Sequence, residues 1–256
     1  MKSQDLLEQA YEALIDSHLL TTTQWESGQR LDLDLLTCIH YEYQWEERSH
    51  SADNFFVWGP PAGEVIDRIW RYGPSENHLI YVLVDRPRLV SEYMVAGCNV
   101  MTPGNFLMFH PLQEIIGQSP PPEYKIHRAS SAGETLLLNM IDGADLVSLD
   151  DVLNPDLQHY YATHEGQPVA SARSGWIDSN LSWVSHVYTD PAHRGRGLAA
   201  ALMNMIMVDS LAETDNLSFL LATEPAHDLY LRLGYIDLAP ILTFQLSTLP
   251  GISSTD

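Results

Sequence analysis

Cysteine is nearly absent from this 256-residue chain: Cys38 and Cys98 are the only two, and their wide separation excludes a disulfide framework. Cys38-Ile-His40 has no second ligand pair beside it, so it makes no zinc site, and no metal is expected. Basic residues are scarce as well, 13 Lys and Arg against 34 Asp and Glu, for a formal net charge of −21. Nucleic acids and anionic membranes need a basic face, so both are excluded as partners. No apolar run approaches the ~20 residues of a membrane span. Residues 4–15 carry apolar side chains at 6, 7, 10, 11, 14 and 15, an amphipathic helix whose acidic polar face fits neither a signal nor a transit peptide. A soluble, cytoplasmic chain of two ordinary domains is expected.

Against that background, two arginines stand close together in one informative stretch, Thr189-Asp-Pro-Ala-His-Arg-Gly-Arg-Gly-Leu-Ala-Ala-Ala-Leu-Met203. Trp183, Val184, Val187 and Tyr188 before it suit a strand, which Asp190-Pro191 ends because proline brings no amide to a ladder. After Gly197, Leu198, Leu202, Met205 and Ile206 recur at helical spacing. Gly195 and Gly197 let backbone N–H groups approach a ligand, and the helix start carries partial positive charge. Arg194 and Arg196 add two full charges. The unit therefore reads as a phosphate or pyrophosphate site. It is not a Walker loop, for it lacks Gly-Lys-Ser/Thr, and Gly195-x-Gly197 lacks the third glycine of the dinucleotide fingerprint.

Downstream, residues 218–222 read as a short buried strand, and Glu224-Pro225 opens a helix whose Ala226, Leu229, Tyr230 and Leu233 share one face before Gly234 stops it. Residues 235–246 read as one or two final strands. Arg194-x-x-Gly197-x-Ala199 resembles the acetyl-CoA pyrophosphate loop of the GNAT superfamily of N-acetyltransferases. Ala226-His-Asp-Leu-Tyr-Leu-Arg-Leu-Gly-Tyr235 resembles a second motif of that family, in the right order.

The resemblance implies an α/β (α+β) fold, a mixed, mostly antiparallel sheet flanked by helices, with acetyl-CoA as cosubstrate. It implies that the backbone of Val187, Tyr188 and Thr189 holds the thioester and pantetheine arm. Arg194, Gly195, Arg196, Gly197, Leu198, Ala199 and Ala200 would wrap the pyrophosphate. Thr223 stands where the family often has asparagine, which implies altered cofactor contact. Tyr230 matches the family's general acid, and a phenol stays protonated at neutral pH. Residues 181–189 contain no carboxylate, so His186 is the candidate base, with His227 and Asp190 in reserve. Strand alternation sets His186 on the face of Val184 and Tyr188, where it could equally be a packed histidine. His193 belongs with the loop.

The remaining C-terminal half fits: a strand at 124–129, a helix at 132–141, and a hairpin of 159–163 and 168–173 about Glu165-Gly166. The Asp-rich stretch 140–156 has no metal-loop spacing and reads as a solvated acidic loop. Pro120-Pro121-Pro122 marks a boundary, giving an N-terminal domain at 1–118, a linker at 119–123, a catalytic domain at 124–248 and a flexible tail at 249–256. Residues 81–97 overlay 218–234 without gaps, setting Tyr93 on Tyr230 and Gly97 on Gly234. This suggests two tandem copies, the first degenerate; chance likeness of two strand-helix-strand units is the alternative. The segment Trp58-Gly-Pro-Pro-Ala-Gly63 falls where the first copy's loop would lie, with no arginine and two amide-less prolines, so no CoA is expected there.

Three functions follow. The first is acetyl transfer to a small-molecule amine or a peptide N-terminus, by a monomeric pseudo-dimer or a homodimer. The second is a non-catalytic acyl-CoA binding or sensing protein, and the third an unrelated phosphate-ligand protein. The negative charge would steer a polyamine, an aminoglycoside or a basic peptide inward, although solubility or a salt-tolerant proteome explains it as simply.

Overall fold

The computed structural model of the protein describes residues 3–20, 27–45, 48–178, 181–213 and 217–247. The tail expected at 249–256 lies outside them. The chain forms two compact units, Met1–Thr23 with Leu107–Leu238, and Gln24–Phe106 with Ala239–Asp256. This division differs from a cut at the prolines. The first helix, α1 (Ser3–Leu20), belongs to the unit of residues 107–238, because its buried stripe of Ala10, Ala13, Leu14 and Ile15 packs on that unit's strands. The stretch 111–123 around the prolines contains neither helix nor strand.

In that first unit, β6 (Tyr124–Arg128), β7 (Leu157–His164), β8 (Gln167–Asp178) and β9 (Leu181–Thr189) form an antiparallel series, and β10 (Leu217–Thr223) lies parallel to β9. The parallel step needs a crossover, which α6 (Leu198–Glu213) supplies. Its Leu198, Ala201, Leu202, Met203, Ile206 and Met207 are buried. The β7–β8 hairpin turns on Glu165 and Gly166, both at positive φ (51° and 81°), as the turn signal predicts. Helix α7 (Glu224–Arg232) begins on its proline, and Gly234 at φ 93° reverses the chain into one strand, β11 (Ile236–Leu246).

The acidic stretch is more ordered than a solvated loop. Helix α4 (Ala132–Leu138) stops three residues short of the expected Ile141. Further along the Asp-rich run, Ser148 and Asp151 form a reciprocal capping box that starts α5 (Leu149–Leu153). Asp151 is buried, and its Oδ2 accepts from the Ser148 amide and hydroxyl (both 3.0 Å).

The second unit repeats the order. Strands β1 (Ser27–Asp32), β2 (Thr37–Trp45) and β3 (Arg48–Val57) are antiparallel, α2 (Ala62–Tyr72) crosses to a parallel β4 (Asn77–Leu83), and α3 (Leu89–Val95) leads to β5 (Cys98–His110). β11 pairs antiparallel with β4 through Ile241–Phe244. The overlay of 81–97 on 218–234 is thus one of matching elements, down to Gly97 at φ 91°. Tyr93 is core, wholly buried and stacked on Phe244 at 4.8 Å.

Gly234 fixes the turn between α7 and β11, and a Cβ there would come within 2.9 Å of Nε2 of the buried His110. Gly234→Ala is expected to destabilise the fold by about 1–3 kcal/mol through left-handed strain and this clash, read as a lower denaturant midpoint at unchanged slope.

Candidate functional site

The site begins where two strands part. Parallel pairing of β9 with β10 runs from Leu181/Leu217 to Val184/Leu220 and ends there, although β9 continues to Thr189 and β10 to Thr223. A bulge helps to open the gap. Ser185 faces Arg173 and Tyr188 faces Ser171, so His186 and Val187 together oppose a single residue of β8. His186 takes φ 53° to achieve this.

The alternation expected for His186 therefore fails at His186 itself. The extra residue moves Tyr188 out of register with Val184, and the His186 ring pairs through Nδ1 with Asp145, while the Tyr188 hydroxyl abuts Gly143 in the same loop. His186 is neither core-packed nor isolated. Burial, and then the charge of Arg173, lower its pKa, with Asp145 opposing. Its imidazole is thus neutral near pH 7, and with Nδ1–H donated to Asp145 the Nε2 lone pair is left to accept a proton.

The gap between the strands opens into a cleft of about 660 Å³ lined by Val187, Tyr188, Thr189, His193, Arg194, Gly195, Gly197, Leu198, Ala199, Ala200, Thr223 and Tyr230. Local chemistry shapes its floor. Asp190 accepts the Ala192 amide (2.7 Å) and starts a single 3₁₀ turn, Pro191–His193, after which Gly195 and Gly197 take φ 74° and 77°. The first intrahelical bond of α6 runs from the Ala201 amide to the Gly197 carbonyl, so the preceding amides have no partner one turn back and face a ligand or solvent. This suits an anion.

Arg194 donates from Nε to the Thr189 carbonyl (2.9 Å), with its guanidinium 5.9 Å from the centre of the Tyr188 ring. Arg196 is not among the lining residues. Its Nη1 instead donates to the Tyr124 hydroxyl (3.0 Å), which also bonds His193. Tyr230 stands on the cleft wall, 7% exposed, edge-on to Tyr235 at 5.8 Å. Burial raises its pKa to about 12, so its hydroxyl is protonated at neutral pH. Thr223 caps the chain into α7 without a side-chain capping bond. His227 is paired with Asp237 (2.7 Å).

The corresponding place in the second unit is differently filled. Arg86, which overlays Thr223, donates to the Gly59 and Pro60 carbonyls (3.0 and 3.2 Å) and to Glu92 (2.8 Å). That loop turns carbonyls inward to a fixed guanidinium, the inverse of an anion cradle.

With this geometry in hand, residues 155–237 match the family model described as the acetyltransferase (GNAT) domain. Over that segment the chain is similar to a GNAT acetyltransferase domain. Solved structures agree on the fold. A GCN5-related N-acetyltransferase from Kribbella flavida is 19% identical over 92% of this chain and 94% of its own, with a TM-score of 0.66. One from Sphaerobacter thermophilus is 14% identical over 87% and 84%, with a TM-score of 0.55. A tandem GNAT protein from the clavulanic acid biosynthesis pathway is 10% identical over 95% and 96%, with a TM-score of 0.52. No curated protein matches the chain. The GNAT fold supports acyl transfer, and its tandem form agrees with the repeated element order.

Sequence reasoning missed several buried polar residues: His159, Arg173 and Asp151 are 3%, 7% and 1% exposed. The only available signal was one arginine in an otherwise apolar or small-residue strand. Burial, followed by the Arg173 charge, lowers the pKa of His159 to about 4, and burial does the same to His18. Both titrate near 6.5 when unfolded, so below that pH the unfolded chain binds more protons. Folding stability is expected to fall as pH drops from about 6.5 toward 4, checked by urea unfolding at about pH 7 and about pH 5. Equal stability at the two would show that neither histidine is held neutral.

Proposed function

We propose that the protein is an N-acetyltransferase that carries an acetyl group from acetyl-CoA directly to an amine, on a small molecule or a peptide N-terminus. The observation that carries the reading is the splayed end of β9 and β10, which opens onto the Gly195/Gly197 loop with Tyr230 on its wall. On the side of β9 away from β8, which β10 leaves uncovered beyond Val184, the backbone of Val187 and Tyr188 offers the hydrogen bonds an extended pantetheine arm needs, with Thr189, whose carbonyl holds Arg194, at its end. The α6 amides and Arg194 meet the pyrophosphate, and Thr223 contributes a hydroxyl at the opposite strand end.

Bound acetyl-CoA supplies an activated thioester carbonyl. His186, oriented by Asp145, takes a proton from the amine as the new C–N bond forms. Tyr230 gives its proton to the sulfur as the C–S bond breaks, and it is reprotonated through solvent. The net movement is one acetyl group and one proton, exchanged between nitrogen and sulfur. A neutral His186 and a protonated Tyr230 are the forms their environments favour near pH 7.

The second unit is inferred to be non-binding, because Arg86 and two proline-flanked carbonyls occupy the place of the cradle. Its role is then structural, completing a tandem fold.

Calorimetry with acetyl-CoA should give one site per chain, and Arg194→Glu should abolish it by setting a carboxylate against the pyrophosphate; retained binding would move the site elsewhere. Tyr230→Phe should lower turnover by about 10²-fold while changing acetyl-CoA affinity little, measured as thiol release. A wild-type rate would remove Tyr230 as the acid.

A further inference from the structure

Beneath the 139–148 segment, three strands place a polar row where a core would normally be apolar. His159 on β7 faces Arg173 on β8, which faces Ser185 on β9. The row lies on the face that carries Tyr161, bonded to Glu134 of α4, and Gly175, which abuts Leu20 of α1. Tyr160, one residue out of phase, bonds Asp209 of α6 on the opposite face.

Arg173 donates from Nε to the Ser185 hydroxyl (3.1 Å), while its Nη2 is buried without a partner. Asp151 commits Oδ2 to its capping box, and its Oδ1 is buried without a partner. His159 Nε2 is the third such atom. The groups are neighbours: the Asp151 charge acts on Arg173, and both act on His159 and His186. Yet among the described residues neither Arg173 nor Asp151 forms an ion pair.

A buried polar atom left unsatisfied bears its full desolvation cost, more so when charged. Three in one place, from a helix and two strands, therefore need an occupant. One buried cation with a free donor, one carboxylate with a free acceptor oxygen and a neutral imidazole complement a molecule that carries both charges. A polyamine would leave Arg173 facing another cation. Ser185, the anchor of Arg173, immediately precedes His186, so an occupant of the row lies close to the base candidate.

We infer that this row is the acceptor site, and that the acceptor is an amino-acid-like amine whose carboxylate binds the Arg173 guanidinium while its nitrogen lies toward Asp151 and His186. The assignment of these residues to an acceptor rests on the acetyltransferase reading; the ligand chemistry rests on the row itself. Arg173 is a specificity residue, since its planar fork suits a carboxylate as lysine does not. The orphan atoms are sealed, so binding requires the 139–148 segment to lift. Asn139 ties its two ends together through both Val147 backbone groups (2.8 Å each), so residues 140–146 move as one flap.

Two measurements on the full-length protein test this. In the first, thermal shift and calorimetry without acetyl-CoA compare free amino acids with their amides and decarboxylated amines. Binding of at least one amino acid, lost in its amide and in Arg173→Gln and weakened in Arg173→Lys, is expected. In the second, thiol release from acetyl-CoA is followed with the same pairs. The wild type should prefer the carboxylate form by about 100-fold or more in kcat/KM. Arg173→Gln should erase that preference mainly through KM and leave acetyl-CoA binding intact, because Arg173 is not in the CoA cleft. Carboxylate-free amines acetylated equally well would overturn the inference, as would a preference that survives in Arg173→Gln. Absence of amino-acid binding in both measurements would mean the row holds water only, which also overturns it. Arg173-dependent amino-acid binding without any acetyl-CoA binding would support the ligand class and sink the acetyltransferase reading alone.

Discussion

Parallel strands β9 and β10 share a ladder only as far as Val184 and Leu220, and beyond that point the facing edges of the two strands no longer bond each other. Unpaired backbone groups in an interior are costly, so a sheet normally closes such a gap or covers it. Here the bulge at His186 turns the end of β9 aside, Asp190-Pro191 stops it, and the glycine loop brings the start of α6 to the mouth of the gap. Every element of the proposed CoA cleft, from the Tyr188 backbone to Tyr230, is positioned by that divergence. The rest of the unit serves to hold it open.

The same bulge links the cleft to the polar row. Inserting one residue turns His186 and Tyr188 toward one loop, where they meet Asp145 and Gly143. The segment between α4 and α5 therefore touches the base candidate, the end of the splayed strand and the cover of the Arg173 row. Its acidic residues are not surplus charge. One caps a helix and one orients a histidine, each placing a carboxylate within a unit that otherwise has few cations to balance it.

The two units show how one architecture keeps or loses a site. Both run strand, crossover helix, parallel strand, helix, glycine and final strand. In one, Thr223 ends the parallel strand and the loop offers amides; in the other, Arg86 overlays that threonine and the loop offers carbonyls. Prolines at 60 and 61 remove two donors at the place where glycines provide room in the other copy. A guanidinium then satisfies the carbonyls internally, and the fold persists without the cradle.

The sequence alone determined the features that depend on local backbone chemistry. The loop at 189–200, the proline start and glycine stop of α7, the two-residue turn at Glu165-Gly166 and the Tyr93/Tyr230 overlay were all legible. Positive φ, a missing amide or an apolar period is written into a few adjacent residues. Only the tertiary structure decided that α1 joins the later half of the chain and that His186 escapes alternation. It alone showed that Arg196 turns to Tyr124, and that His159, Arg173 and Asp151 meet in one interior. Those outcomes depend on register between strands and on which helix covers which face, and no short stretch of chain carries a mark of the neighbours it will bury.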